Sequence, residues 1–219
     1  MVLSVGIASL MIFMFAMLMV VSSLLYKKRM NVKYNIKNMF PFEFTYKSKI
    51  SENFYTYVFL TLLVLSAIAF FATFDRTYRD GYNIFTMIGG ILTSIALFAM
   101  FIIPLTNLRL HMIFSVIFYV LNFATAGSNT IHAWKVNSLY SSVVAIIAIV
   151  LGIIIAVSQL VLFLNPRMTL DFKAEKVEGE NGEVTYVRPK WVVYAFTEWM
   201  HIFLFIFNII NITILTFAK

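Results

Sequence analysis

Apolar residues come in long unbroken runs along this chain. Six runs reach or approach the roughly 20 residues that a helix needs to cross the hydrocarbon core of a bilayer. They cover residues 3–26, 54–74, 84–105, 110–126, 140–164 and 191–217. The fourth is the shortest and contains Asn122. Inside hydrocarbon, backbone polar groups must be bonded within the protein, which helices of this length achieve. The pattern predicts an all-α fold: a polytopic six-helix transmembrane bundle forming a single membrane domain over residues 1–219.

The polar stretches between the runs add direction. No Lys or Arg precedes the first run, and Lys27-Lys28-Arg29 follows it, which suits an uncleaved first helix with its N-terminus outside. Loops one, three and five carry thirteen Lys and Arg, against four in loops two and four and the C-terminus. The positive-inside rule then places the odd loops in the cytoplasm and both termini outside, in a bacterial-type plasma membrane. In the long first loop, Asn38 to Phe44 is apolar and broken by Pro41, and is expected to lie along the headgroup layer. In the fifth loop, residues 169–177 and 183–188 alternate around Asn181-Gly182, a pair suited to a type I′ turn. They predict a small cytoplasmic β-hairpin at about 169–188, with Glu175, Glu178, Glu180 and Glu183 at its tip.

Composition narrows the function classes. The chain is 61% hydrophobic and only 12% charged, whereas a soluble domain has about 25% charged residues. Its net charge of +7 is expected to meet anionic lipid headgroups and not nucleic acid. The absence of cysteine removes disulfides, thiolate metal sites and cysteine nucleophiles.

Candidate chemistry concentrates in the last run, which holds Glu198, the only carboxylate deep inside any apolar run. On a helix His201 lies about 60° from Glu198 and Asn208 about 80° from it. Thr197 and Asn211 widen this into one polar stripe that other helices must cover. His201, one turn on, is the expected partner of Glu198. Asn122, Gln159 and His111, which opens the fourth helix, complete a candidate ligand-binding set with Glu198, His201 and Asn208. The same carboxylate serves equally as hydrogen-bonded glue between helices, or reaches the headgroup layer. A zinc protease is rejected because the first His of H-E-x-x-H is missing. His111 and His201 differ in expected depth by about 10 Å, a poor fit to haem. His132 is expected in an outer loop. No metal and no cofactor is expected. Asp75, Arg76, Arg79 and Asp80 form a mixed-charge cluster at the end of the second helix. Gly89-Gly90 with Ser94 gives the third helix a face for close helix contact.

Gly89-Gly90, His111 and Glu198-Trp199 together resemble the DRAM-type six-helix family from the third helix to the sixth. The resemblance implies a lipid-linked or regulatory role. In that family the first loop is luminal, whereas the lysines here place it in the cytoplasm. The leading expectation is a non-enzymatic membrane protein handling a lipid or small solute in an intramembrane pocket, as in transport. The alternatives are a structural subunit of a larger membrane complex, with protein partners in the membrane, and a membrane-embedded enzyme using Glu198 and His201 as acid and base.

Overall fold

The computed structural model describes residues 2–45, 49–74, 80–168, 175–178 and 184–218; the strands at 175–178 and 184–187 are described by their backbone alone. Six helices are long and apolar enough to cross a membrane. They are α1 (Val2–Met30), α2 (Phe54–Thr73), α3 (Gly81–Ile102), α4 (Leu108–Tyr140), α5 (Val143–Phe163) and α6 (Val193–Leu215). Strands β1 (Glu175–Glu178) and β2 (Val184–Val187) pair antiparallel, with Glu175 opposite Val187 and Glu178 opposite Val184. The Asn181-Gly182 turn and the acids Glu180 and Glu183 lie outside the described residues, as do Asp75, Arg76 and Arg79.

α6 is the most deeply buried of the spanning helices, and its aromatic rings meet four of the others. Phe203 packs on Phe15 of α1, Phe205 on Phe71 of α2 and Phe118 of α4, and Trp199 on Phe101 of α3. In lipid such helices associate through dispersion and close fit more than through water exclusion, so small residues matter at the crossings. A Cβ on Gly90 would fall 2.2 Å from the Phe71 ring, and one on Gly89 2.9 Å from Thr125 Oγ1. A Cβ on Gly152 would lie 2.2 Å from Thr130 Oγ1 and 3.2 Å from the Asn211 side-chain amide, marking where α4, α5 and α6 converge. Between α1 and α2, the Ser22 hydroxyl donates to Thr56 Oγ1 at 2.9 Å.

Two sequence expectations are revised. α4 does not end near residue 126 but continues to Tyr140, so His132 belongs to a helix and not to an outer loop. The extension is polar, but its polar residues face inward: Thr125, Ser128, Asn129 and His132 are all buried, with Ala133 and Val136 beside them. That spacing is one helical face, and hydropathy alone does not register it. α4 then passes to α5 through Ser141-Ser142, with Ser141 left-handed at φ 48°.

The first loop is the second revision. Asn31, at φ 54°, turns the chain back at the end of α1, and Asn tolerates that conformation better than most residues. The segment then forms a 3-10 turn (Pro41–Phe44) whose side chains are buried against the bundle. Glu43 fixes it by accepting from the Phe40 N–H at 2.8 Å and from Arg188 Nη1 at 2.8 and 2.9 Å. Arg29 donates to the Glu43 carbonyl, and the Asn53 amide to the Phe44 carbonyl. Asn38 donates to the Pro189 carbonyl, and the Val192 N–H to the Lys37 carbonyl, which ties the loop to the entry of α6. Its apolar surface is satisfied by protein packing, so it plugs one end of the bundle.

Candidate functional site

α4 and α6 run parallel, and this alignment builds the site. His111 and Ser115, one turn apart on α4, both face Glu198 on α6. His111 Nε2 lies 2.8 Å from Glu198 Oε1, and the Ser115 hydroxyl donates to the same oxygen at 3.0 Å. The side chains of His111 and Glu198 are completely buried. His111 Nδ1 is 2.6 Å from the Ile103 carbonyl. A carbonyl only accepts, so Nδ1 carries a proton, and a single further proton is shared between Nε2 and Oε1. Whether that proton rests on the imidazole or on the carboxyl, the pair is neutral as a whole, which is what burial demands.

The wall around the pair is aromatic. Phe42 and Phe40 from the plugging loop set their rings edge-on to the His111 ring at 5.4 and 6.4 Å. Trp199, adjacent to Glu198, donates its indole N–H to the Met39 carbonyl at 2.9 Å and to Tyr34 Oη at 3.1 Å. Burial, and then the nearby Glu43 carboxylate, push the Tyr34 hydroxyl well above its ordinary range, so it stays protonated and donates to the Phe40 carbonyl at 2.8 Å. The loop thus closes the site at one end through a chain of hydrogen bonds.

The expected partner of Glu198 is corrected. Neither ring nitrogen of His201 makes a hydrogen bond with Glu198 or with any other described residue; the ring stacks on Tyr119 at 4.1 Å and 22°. Its 60° offset on α6 carries it past the carboxylate to the next turn of α4. Asn122 donates to the His201 backbone carbonyl at 3.0 Å, while its own Oδ1 has no hydrogen-bond partner among the described residues. Asn208 and Gln159 are fully buried, and both polar atoms of each side-chain amide lack a hydrogen bond among the described residues. The same holds for Asn211; Glu198 Oε2 has no hydrogen bond within 3.5 Å among the described residues, although the largely buried Tyr194 hydroxyl is close enough to interact with this carboxylate. No hydrogen bond joins Gln159 to Glu198. The six candidate residues therefore fall into a dyad (His111, Glu198), a stacked imidazole (His201) and three buried amides. Ser115 and Tyr119 were not anticipated, and Trp199 entered only through the family resemblance. The signal for the first two was spacing, since His111, Ser115, Tyr119 and Asn122 follow one face of α4.

A second His–carboxylate contact sits 21 residues further along α4, about 31 Å away along the axis. Asp80 caps α3 by accepting from the Asn83 N–H at 2.7 Å, and it faces His132 Nδ1 at 3.2 Å and Lys135 Nζ at 3.3 Å. Burial alone would raise its carboxyl, but the Asn83 N–H, His132 and Lys135 together hold it below the ordinary aspartate range. Among the described residues no group of three His, Cys, Asp or Glu is arranged to hold a metal ion. Surface clefts of about 360, 510 and 530 Å³ lie away from Glu198.

Neither a family model, nor a curated protein, nor a solved structure matches this chain.

Proposed function

We propose that this integral membrane protein is non-enzymatic and binds a small polar solute, or the polar head of a lipid, within the α4–α5–α6 interior beside Glu198. The observation that carries the reading is the set of buried side-chain amides, Gln159, Asn208 and Asn211, that have no hydrogen-bond partner among the described residues. Each such group costs about 1–3 kcal/mol when left unbonded, so buried groups of this kind are retained where water or a polar ligand completes them. The acceptor on Glu198 and the mixed donors and acceptors of the amides suit a solute bearing N–H or O–H groups.

Native mass spectrometry of the protein after mild detergent extraction tests this. A bound small molecule is expected in the wild type and is lost in Glu198→Gln, with the variant still folded. If nothing polar copurifies and Glu198→Gln only lowers the yield, the pocket reading fails. The reading as a structural subunit then takes its place. That alternative draws on the outward face of α5, where Val143, Ile146, Val150, Ile153, Ile154, Val157 and Val161 are all exposed.

The same proposal takes loops one, three and five, with the paired strands, as cytoplasmic and both termini as external, on the strength of the lysine and arginine bias. Because the chain has no cysteine, single cysteines introduced one at a time report sidedness directly. The likeness to the DRAM-type family adds a lipid-linked or regulatory role to the proposal; two residues that carry it, His111 and Glu198, are the two that meet in the dyad.

A further inference from the structure

The end of α1 carries a cleft of about 510 Å³ with two unlike halves. Val20, Ser23, Leu24 and Lys27 fall on one face of the helix, and Met19 lies beside them. Val20 and Leu24 are more than half exposed. The left-handed turn at Asn31 then folds the chain back, so Lys33 and the buried ring of Tyr34 close the polar end of the cleft beside Lys27. Neither Lys27 nor Lys33 makes an ion pair among the described residues, whereas the nearby arginine, Arg29, is engaged by the Glu43 and Phe44 carbonyls. An apolar trough on a spanning helix, ending in two exposed ammonium groups and a serine hydroxyl, matches an amphiphile with a negative head.

We propose that this cleft holds one anionic glycerophospholipid, with an acyl chain along Val20 and Leu24 and its phosphate between Lys27 and Lys33. The adjoining cleft at Lys28 and Arg29 is a worse host, because Glu52 lines it and opposes an anion. The lipid site is separate from the interior beside Glu198 and does not depend on it. It does share a wall with that interior, since Tyr34 receives the Trp199 indole N–H.

The test uses the full-length protein in mixed micelles containing equal phosphatidylglycerol and phosphatidylcholine, with retained lipid counted by native mass spectrometry. Each lysine at the headgroup is worth about fivefold for an anionic lipid, so the wild type is expected to prefer phosphatidylglycerol by about 25-fold. Lys27→Gln/Lys33→Gln, which alters two exposed side chains, removes the preference, and Lys28→Gln keeps it. The proposal is overturned by equal retention of both lipids in the wild type, by an unchanged preference in the double variant, or by equal loss in Lys28→Gln. Displacement of the lipid by inorganic phosphate also overturns it, because a bare anion site needs no acyl chain.

Discussion

His111 and Glu198, 87 positions apart, meet at 2.8 Å with their side chains sealed from solvent, and the Ile103 carbonyl fixes which imidazole nitrogen faces the carboxyl. With Nδ1 committed as a donor, the pair holds one proton that belongs to neither residue alone. His111→Ala strips the carboxyl of this partner and is expected to cost about 3–5 kcal/mol. Glu198→Gln keeps the shape and supplies an amide N–H to a neutral Nε2, so its cost is nearer 1 kcal/mol. A double-mutant cycle by reversible unfolding in detergent micelles checks both; additive costs would contradict a coupled pair.

Helix crossings give a second prediction. Gly90→Ala drives a methyl group into the Phe71 ring and is expected to destabilise by about 1–3 kcal/mol. A Cβ at Gly127 meets nothing within 4 Å, so Gly127→Ala is expected to stabilise by about 0.5–1 kcal/mol through helix propensity. Thermal melts of the two variants should therefore move in opposite directions.

Trp199 is wholly buried, whereas Trp134 and Trp191 are 67% and 50% exposed, and these three are all the tryptophans in the chain. Collisional quenching by acrylamide in water together with brominated lipid is expected to reach Trp134 and Trp191 and to spare Trp199. Trp199→Phe deletes the indole N–H that bonds Met39 and Tyr34, with an expected cost of about 1–3 kcal/mol. A Trp199 signal quenched as readily as the others would mean that the first loop does not plug the bundle.

Asp80 supplies a pH prediction. Its carboxyl is held below the ordinary value of 3.8, so the unfolded chain takes up a proton before the folded one does as acid is added. Its contribution to stability is full above that ordinary value and is lost as pH falls through the lower folded one. Asp80→Asn preserves a good helix cap but lacks the charge that faces His132 and Lys135. The variant is expected to melt lower than the wild type near neutrality and to converge with it in acid. A constant gap at every pH would remove Asp80 from the account.

The six spans were legible because length and apolarity alone decide whether a segment can cross hydrocarbon. The far half of α4 was not, because Ser128, Asn129, Thr130, His132 and Lys135 depress hydropathy while the buried members of that set face inward. Glu198 stood out as a lone acid in an apolar run. Its partner did not, since helical spacing reports only neighbours on the same helix, and His111 comes within reach only when α4 and α6 lie side by side in the same direction. The loop from Asn38 to Phe44 looked interfacial because an apolar segment too short to span has two ways to leave water, and sequence does not choose between lipid and protein.

The two-residue link at Ser141-Ser142 leaves α4 and α5 no slack. The short link holds one end of α4 against α5, so His111, Asn122 and Gln159 stand on one helical hairpin. Access to the interior amides is then governed by the seam where that hairpin meets α6, whose connection to α5 spans residues 164–192. Under the function proposed above, a solute reaches Glu198 by parting α6 from the α4–α5 pair.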